Sequence, residues 1–325
     1  MNNIKITELD VTQAILSLKR SVSNTPDKIP SLFIVKTVSS LAKPLTQLFN
    51  LSLSLGAVPD LWKTAIITPI HKKGPKSIPS NYRPISLTSV LCRVMEKVLH
   101  QYLSNHLSTN NFISDSQHGF VNNRSTLTQH LHLLNELTIN HERNISCNII
   151  YIDFTKAFDS VPHNKLIYIL KNIKISPSII AWITDYLTKR TQQTIVEGTL
   201  SKPGEVVSGV PQGSVLGPLL FIIYLEDLIK QLHRLQDISV YVFADDLKLL
   251  STNSNSLQQA LTIIENWSGN WQLRIQPTKS EIIHFSRQTS NQINHLYINN
   301  EIIPQTDIII IIVHFLYTAL SCAMT

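Results

Sequence analysis

Asp245 and Asp246 stand side by side between two apolar stretches, Ser239 to Phe243 and Leu247 to Leu250. Only Ala244 and the two aspartates separate these stretches, so a β-hairpin is expected with both carboxylates at its turn. Adjacent carboxylates repel each other unless a cation neutralises them. A third carboxylate, Asp153, lies near the end of another strand-like run, Asn148 to Phe154. Three carboxylates supply the hard oxygen ligands that suit Mg²⁺. Two such ions about 3.5–4 Å apart clamp the attacking and leaving oxygens of a phosphoryl transfer. The competing explanation is a plain aspartate-rich turn, since aspartate is a common turn residue. Residue types alone leave both open.

A second candidate is the stretch 209–218, GVPQGSVLGP, which holds three of the nine glycines, Gly209, Gly213 and Gly217. An apolar helix is expected after it, with Ser214 as cap and Pro218 among the first positions, where a missing donor costs little. Such a turn lets a ligand approach the backbone and meet free N–H groups. A plain loop-to-helix junction has the same spacing.

The chain carries 28 lysines and arginines against 22 acids, a net charge of +6. From Lys63 to Lys97 there are seven basic residues (Lys63, Lys72, Lys73, Lys76, Arg83, Arg93, Lys97) and one acid, Glu96, so this stretch accounts for the whole excess. A local basic stripe fits a phosphate-bearing partner, and equally a solvated face. Charged residues make up 15% and hydrophobic residues 43%, which excludes a disordered chain. Nine glycines exclude a glycine-rich low-complexity protein. The three cysteines, Cys92, Cys147 and Cys322, lie far apart and point neither to a zinc site nor to a disulfide framework.

Around these residues the pattern predicts a helix capped by Thr7, a helix near 41–55 and a long helix over 88–107. Ser256 is expected to cap a helix through Leu257, Leu261 and Ile264, and residues 282–285 form a further strand. Helices and strands without strict alternation indicate an α+β fold. Trp267 and Trp271 read as core, His130 and His132 as surface residues rather than a metal pair, and Tyr82 as packing before base stacking.

Seven stretches occur in an order that resembles the reverse transcriptase region of non-LTR (LINE-like, Jockey-type) retrotransposon proteins. They are 62–74 (WKTAIITPIHKKG), 81–87 (NYRPISL), 117–126 (QHGFVNNRST), 151–161 (YIDFTKAFDSV), 209–218, 243–250 (FADDLKLL) and 271–285 (WQLRIQPTKSEIIHF). The similarity spans about residues 5–315.

The resemblance implies a right-hand polymerase with fingers and palm. It adds deoxynucleotides to a primer 3′ end on an RNA template, with DNA also serving as template. Asp153, Asp245 and Asp246 match the metal-binding carboxylates, the pair reading FADD where the family has YADD-type residues. Two Mg²⁺ ions are implied, with Mn²⁺ as a substitute. Phe158 resembles the steric gate, whose ring would collide with a 2′-hydroxyl. Gln212 and Gly213 match the loop lining the nucleotide site. Lys72, Lys73 and Arg83 match finger residues that meet the triphosphate, and Lys279 matches a lysine assigned to protonating the leaving group. Arg124 and Ser125 match a signature before a helix and either contact template or cap. The implied partners are an RNA template, a DNA primer or target DNA, and dNTPs. The expected location is intracellular, nuclear or cytoplasmic.

The expected domains are an N-terminal helical extension over 1–60 and a reverse transcriptase domain over 61–315, with fingers about 61–147 and palm about 148–315. An aberrant tail over 316–325 follows. Residues 308–315 (IIIIIVHF) replace the expected Leu-Gly-Val-like primer grip, so the thumb is expected to be truncated or absent. The apolar run there is short for a membrane span, and no membrane partner is expected. An endonuclease domain is expected in the full-length element but not within this sequence. The alternative is an inactive remnant that acts at most as an RNA-binding module.

Overall fold

The computed structural model describes residues 4–22, 25–286 and 295–306 of the 325-residue chain. Three helices open it: α1 (Glu8–Leu16), α2 (Ser31–Lys36) and α3 (Val38–Leu55). A hairpin of β1 (Thr64–His71) and β2 (Tyr82–Leu87) precedes α4 (Val90–Thr109) and α5 (Thr126–Glu142). Then come β3 (Cys147–Ile152), α6 (Ala157–Ser160), α7 (His163–Asn172) and α8 (Pro177–Leu187). Three short strands follow, β4 (Arg190–Val196), β5 (Thr199–Leu200) and β6 (Gly204–Val206), and then α9 (Leu216–Leu232). The rest is β7 (Ser239–Phe243), β8 (Asp246–Ser251), α10 (Ser254–Trp271), β9 (Glu281–Phe285), β10 (Tyr297–Ile298) and β11 (Glu301–Ile302).

The chain divides into two compact units, neither continuous in sequence: residues 1–110 with 161–220, and residues 111–160 with 221–325. In the first unit, β1 pairs antiparallel with β2 and parallel with β4, with Thr64 opposite Thr191. β5 and β6 extend this sheet from β4. Its helical core gathers Phe49, Trp62, Trp182 and Tyr186, all nearly or fully buried. Phe49 and Trp62 meet edge to face, Trp182 stacks on Tyr186, and the Trp182 indole N–H donates to Ser52 Oγ at 3.0 Å.

In the second unit the sheet runs β7-β8-β3-β9, antiparallel throughout. Side chains alternate across it. On one face Leu133 and Leu137 of α5 pack against Cys147, Ile149, Tyr241, Leu250 and Ile283. On the other, Ile150, Ile152, Val242 and Leu249 are also buried. A sheet covered on both faces explains why these strands read as apolar runs rather than as alternating ones.

The expected boundaries need small corrections. Thr7 caps α1 in a reciprocal capping box with Asp10, as expected. The third helix starts earlier, at Val38, and the long helix runs Val90–Thr109 with Ser89 as its cap. The last helix is capped by Asn253 and not by Ser256, which lies inside its first turn. His130 is buried on the inner side of α5, and only His132 is exposed. Trp267 is buried with its indole N–H on Asp227 Oδ2 at 3.1 Å, and Trp271 stacks beside it half-buried. Residues 307–325, on which the altered primer grip and the aberrant tail fall, lie outside the described residues.

Candidate active site

Phe243 pairs with Asp246 across the β7–β8 hairpin, so the turn consists of Ala244 and Asp245. Ala244 holds φ at 57°, in the left-handed region that residues with a Cβ seldom adopt. Asp245 is half-buried and Asp246 is exposed at the start of β8. Asp246 and Lys248 share one face of the strand, and Lys248 lies opposite both Tyr151 and Tyr241. Lys248 is buried, its ammonium donating to Gln129 Oε1 at 2.8 Å and lying over the Tyr151 ring. Burial holds its pKa down at about 8, against the opposing pull of Asp246.

Asp153 is the first residue past β3. Its backbone is fixed on both sides by the segment before β9: Gln276 N–H donates to its carbonyl at 2.8 Å, and its own N–H donates to Ser280 Oγ. The Thr155 N–H bond to the Arg274 carbonyl and the Thr155 Oγ1 bond to Gln276 Oε1 extend this pairing. The single turn Pro277–Lys279 brings Lys279 Nζ to 3.9 Å from Asp153 Oδ2. Both side chains are open to water, 68% and 40% exposed, so the ion pair contributes little stability. Phe158, at α6, stacks on Phe221 of α9 and is met edge-on by Phe120.

The carboxylates of Asp153, Asp245 and Asp246 offer only hard oxygen donors, a set that fits Mg²⁺. Among the described residues no three His, Cys, Asp or Glu side chains form a ready-made metal cage. Mg²⁺ in nucleotide enzymes takes one or two carboxylates and completes its shell with water and substrate phosphate.

The other expected nucleotide-site residues lie in the first unit. Lys72 and Lys73 follow β1 on the exposed 72–81 loop, and Arg83 is exposed on β2 opposite Ile70. Lys72 N–H to Asn81 O at 2.8 Å and Tyr82 OH to Lys76 O at 2.8 Å brace this loop. Tyr82 also packs edge-on against His71, a closing role for the hairpin. The Gln212 carbonyl accepts the Ser86 N–H at 2.7 Å. Gly213 has φ at 103°, and a Cβ there would fall 2.8 Å from the Ser86 carbonyl oxygen, so the loop can lie against β2 only with glycine.

Two sequence expectations need correction. The N–H groups at the start of α9 are not free. The buried carboxylate of Glu96 accepts from Val215 N–H at 2.8 Å and Leu216 N–H at 3.0 Å, and Ser214 Oγ accepts from Gly217 N–H at 2.9 Å. Burial raises the Glu96 pKa, and the bond from Leu216 pulls against that shift. The basic stripe is not one surface either. Lys63 is buried against Asp185 at 2.8 Å, and Lys97 donates to the Ser17 carbonyl, so the exposed charge narrows to the β1–β2 hairpin. Arg124 donates to the carbonyls of Ser114 and Gln117 at 2.8 Å each and pairs with Asp115, while Ser125 caps α5.

The profile of the family described as reverse transcriptase (RNA-dependent DNA polymerase) matches residues 70–301. The chain belongs to the reverse transcriptase family. Its relatives among curated proteins include a probable RNA-directed DNA polymerase from transposon BS of Drosophila melanogaster, 30% identical over 83% of this chain and 31% of that protein. The RNA-directed DNA polymerase from mobile element jockey of the same fly is 30% identical over 76% of this chain and 28% of its own length. The expected likeness to non-LTR elements is thus borne out. This reverse transcriptase domain spans about a third of the length of these relatives. Among solved structures, apo telomerase from Candida tropicalis, truncated from its C-terminal domain, aligns with a TM-score of 0.55 at 15% identity, covering 78% of this chain and 57% of that one. A second telomerase structure from that yeast, in complex with a fragment of telomeric RNA, gives 0.52 at 16%, over 78% and 46%. The shared architecture is the mixed helix-and-sheet fingers and palm expected from the sequence. Among the described residues no helix is long and apolar enough to cross a membrane.

Proposed function

We propose that this reverse transcriptase domain adds deoxynucleotides to a primer 3′ end on an RNA template, within an element-encoded protein that also meets target DNA. The observation that carries this reading is the FADD turn on the same sheet as Asp153, whose backbone is pinned between β3 and the β9 segment. Asp153, Asp245 and Asp246 would hold two Mg²⁺ ions, or Mn²⁺ in their place. These ions supply charge neutralisation at the attacking and leaving oxygens. Phe158, set by its stack on Phe221, would exclude a 2′-hydroxyl. Lys72, Lys73 and Arg83 would neutralise the triphosphate, and Gln212 and Gly213 would line the nucleotide site. Lys279 would deliver a proton to the departing pyrophosphate. The β1–β2 hairpin belongs to the fingers and the β7-β8-β3-β9 sheet to the palm. The protein acts inside the cell, in nucleus or cytoplasm.

Primer extension on poly(rA)/oligo(dT) with Mg²⁺ tests this reading. Extension that requires Mg²⁺ and is lost in Asp245→Asn is the expected result. Extension that survives in the purified variant would refute the assignment, and RNA binding without any extension would favour a non-catalytic RNA-binding module.

A further inference from the structure

The signature QHGFVNNRST, residues 117–126, has no part in the chemistry assigned so far, yet it is built against the aspartate turn. Residues 116–118 lie along the outer edge of β7. Val242 N–H donates to the Ser116 carbonyl at 2.9 Å, and His118 N–H donates to the Val242 carbonyl at 2.8 Å. This adds a short parallel rung to the palm sheet. The Gln117 side chain is fully buried. Its Oε1 accepts from Gly119 N–H at 2.7 Å and from Ala244 N–H at 3.0 Å. The second of these bonds is to the left-handed residue immediately before Asp245. A Cβ on Gly119 would fall 2.3 Å from the Ala244 nitrogen, so no side chain fits there without moving the turn. Arg124 holds the Gln117 carbonyl from behind and ties it to Ser114 and Asp115.

We propose that Gln117, Gly119 and Arg124 form a clamp that fixes the backbone of the Ala244–Asp245 turn, which makes Gln117 a positioning residue for the metal-binding carboxylates. The inference rests on the assignment of Asp245 and Asp246 as metal ligands. A carboxylate that binds a cation must be held in place by its supporting groups, and loss of such support typically lowers metal affinity or activity 10–100-fold. The turn lacks a glycine that would relax its backbone, so the Gln117 oxygen supplies the restraint that holds Ala244 at positive φ.

The test compares Gln117→Met, which keeps length but loses the acceptor, with Arg124→Ala, which loosens the clamp from a less buried position. Asn253→Ala, which removes the α10 cap, serves as a control for general destabilisation. Three quantities are read: amide hydrogen exchange of the peptide around Ala244, Mn²⁺ binding by electron paramagnetic resonance, and the Mg²⁺ dependence of primer extension. The clamp predicts about tenfold faster exchange at Ala244, about tenfold weaker Mn²⁺ binding and a matching rise in the Mg²⁺ concentration for half-maximal rate in Gln117→Met. Arg124→Ala shifts the same quantities in the same direction by less. Template–primer affinity stays within about threefold of wild type, and Asn253→Ala lowers the melting temperature without moving the metal response. Wild-type metal binding and exchange in Gln117→Met, or in Arg124→Ala if the former does not fold, would overturn the clamp while leaving the active site intact. A wild-type protein that neither extends primers nor binds Mn²⁺ would sink the assignment of the carboxylates and the clamp's role with it.

Discussion

The ring of Phe158 lies on the ring of Phe221, centroids 4.3 Å apart and planes 22° from parallel. Phe221 is fully buried in α9, while Phe158 is half-buried at α6. The stack thus holds a partly exposed ring by its contact with a fully buried one. If Phe158 screens the sugar, Phe158→Ala should lower the preference for dNTP over rNTP in kcat/KM by about 10–100-fold, the range available to apolar steric selection. Phe221→Leu, which removes the support and leaves the gate, should give a smaller loss in the same direction. Competition between dUTP and UTP on poly(rA)/oligo(dT) would measure both, and unchanged discrimination in Phe158→Ala would exclude the gate.

Replacing one carboxylate of the turn should separate chemistry from binding. Asp245→Asn should reduce primer extension by about a thousandfold or more, since several kcal/mol of charge stabilisation depends on the ligand and each 1.4 kcal/mol is tenfold. RNA affinity by filter binding should stay unchanged.

Glu96 offers a prediction about the 209–218 loop, proposed above to line the nucleotide site. Glu96→Ala leaves the Val215 and Leu216 N–H groups without acceptors, and the Leu216 group is buried. A loss of roughly 2–4 kcal/mol in urea unfolding is expected from two such groups. Because the same helix start follows Gln212 and Gly213, KM for dNTP should rise more than kcat falls.

One contribution to the pH dependence of stability comes from Glu226, fully buried in α9, where Oε1 accepts the Ser114 N–H and Lys230 lies 4.0 Å away. Burial lifts its pKa from 4.5 to about 7, against the opposing effects of the Ser114 bond, Lys230 and Arg124. A folded-state pKa above the unfolded one means that the native state holds the proton more tightly. The stability this group provides is therefore complete below about pH 4.5 and lost as pH rises to about 7. The loss is roughly 3 kcal/mol, since each tenfold difference in proton affinity between the folded and unfolded chain is worth about 1.4 kcal/mol. Glu226→Gln should melt higher than wild type at pH 8 and show a flatter profile between pH 5 and 8 by thermal unfolding.

The sheet that carries the aspartates was legible because its strands are short, apolar and bounded by polar turns: β7 is found where the sequence places it, and β8 and β9 each begin one residue earlier. The polar strand β4, RTQQTIV, gave no such signal, and its partner β1 lies more than a hundred residues earlier in a parallel pair. Gln117 and Glu96 were hidden for a related reason. Their side chains act on backbone N–H groups 127 and 119 residues away, and a main-chain donor leaves no trace in residue type. Glu96 could be noticed as the single acid of a basic stretch, but its partner could not. The stripe itself misled because charge counts cannot separate a buried, paired lysine such as Lys63 from an exposed one such as Lys72.

The two-residue turn between β7 and β8 has a consequence for the gene as well as for the protein. Both arms are buried along their middle and fixed in register to their neighbours, and side chains alternate faces along each. Loss or gain of a single codon in β8 ahead of Lys248 would reverse that alternation, carrying Lys248 to the opposite face of the sheet and apolar residues into its place. Length changes in this hairpin are thus more damaging than most substitutions inside it. A copy of the element that keeps its reading frame but has changed by one codon here is expected to be silent.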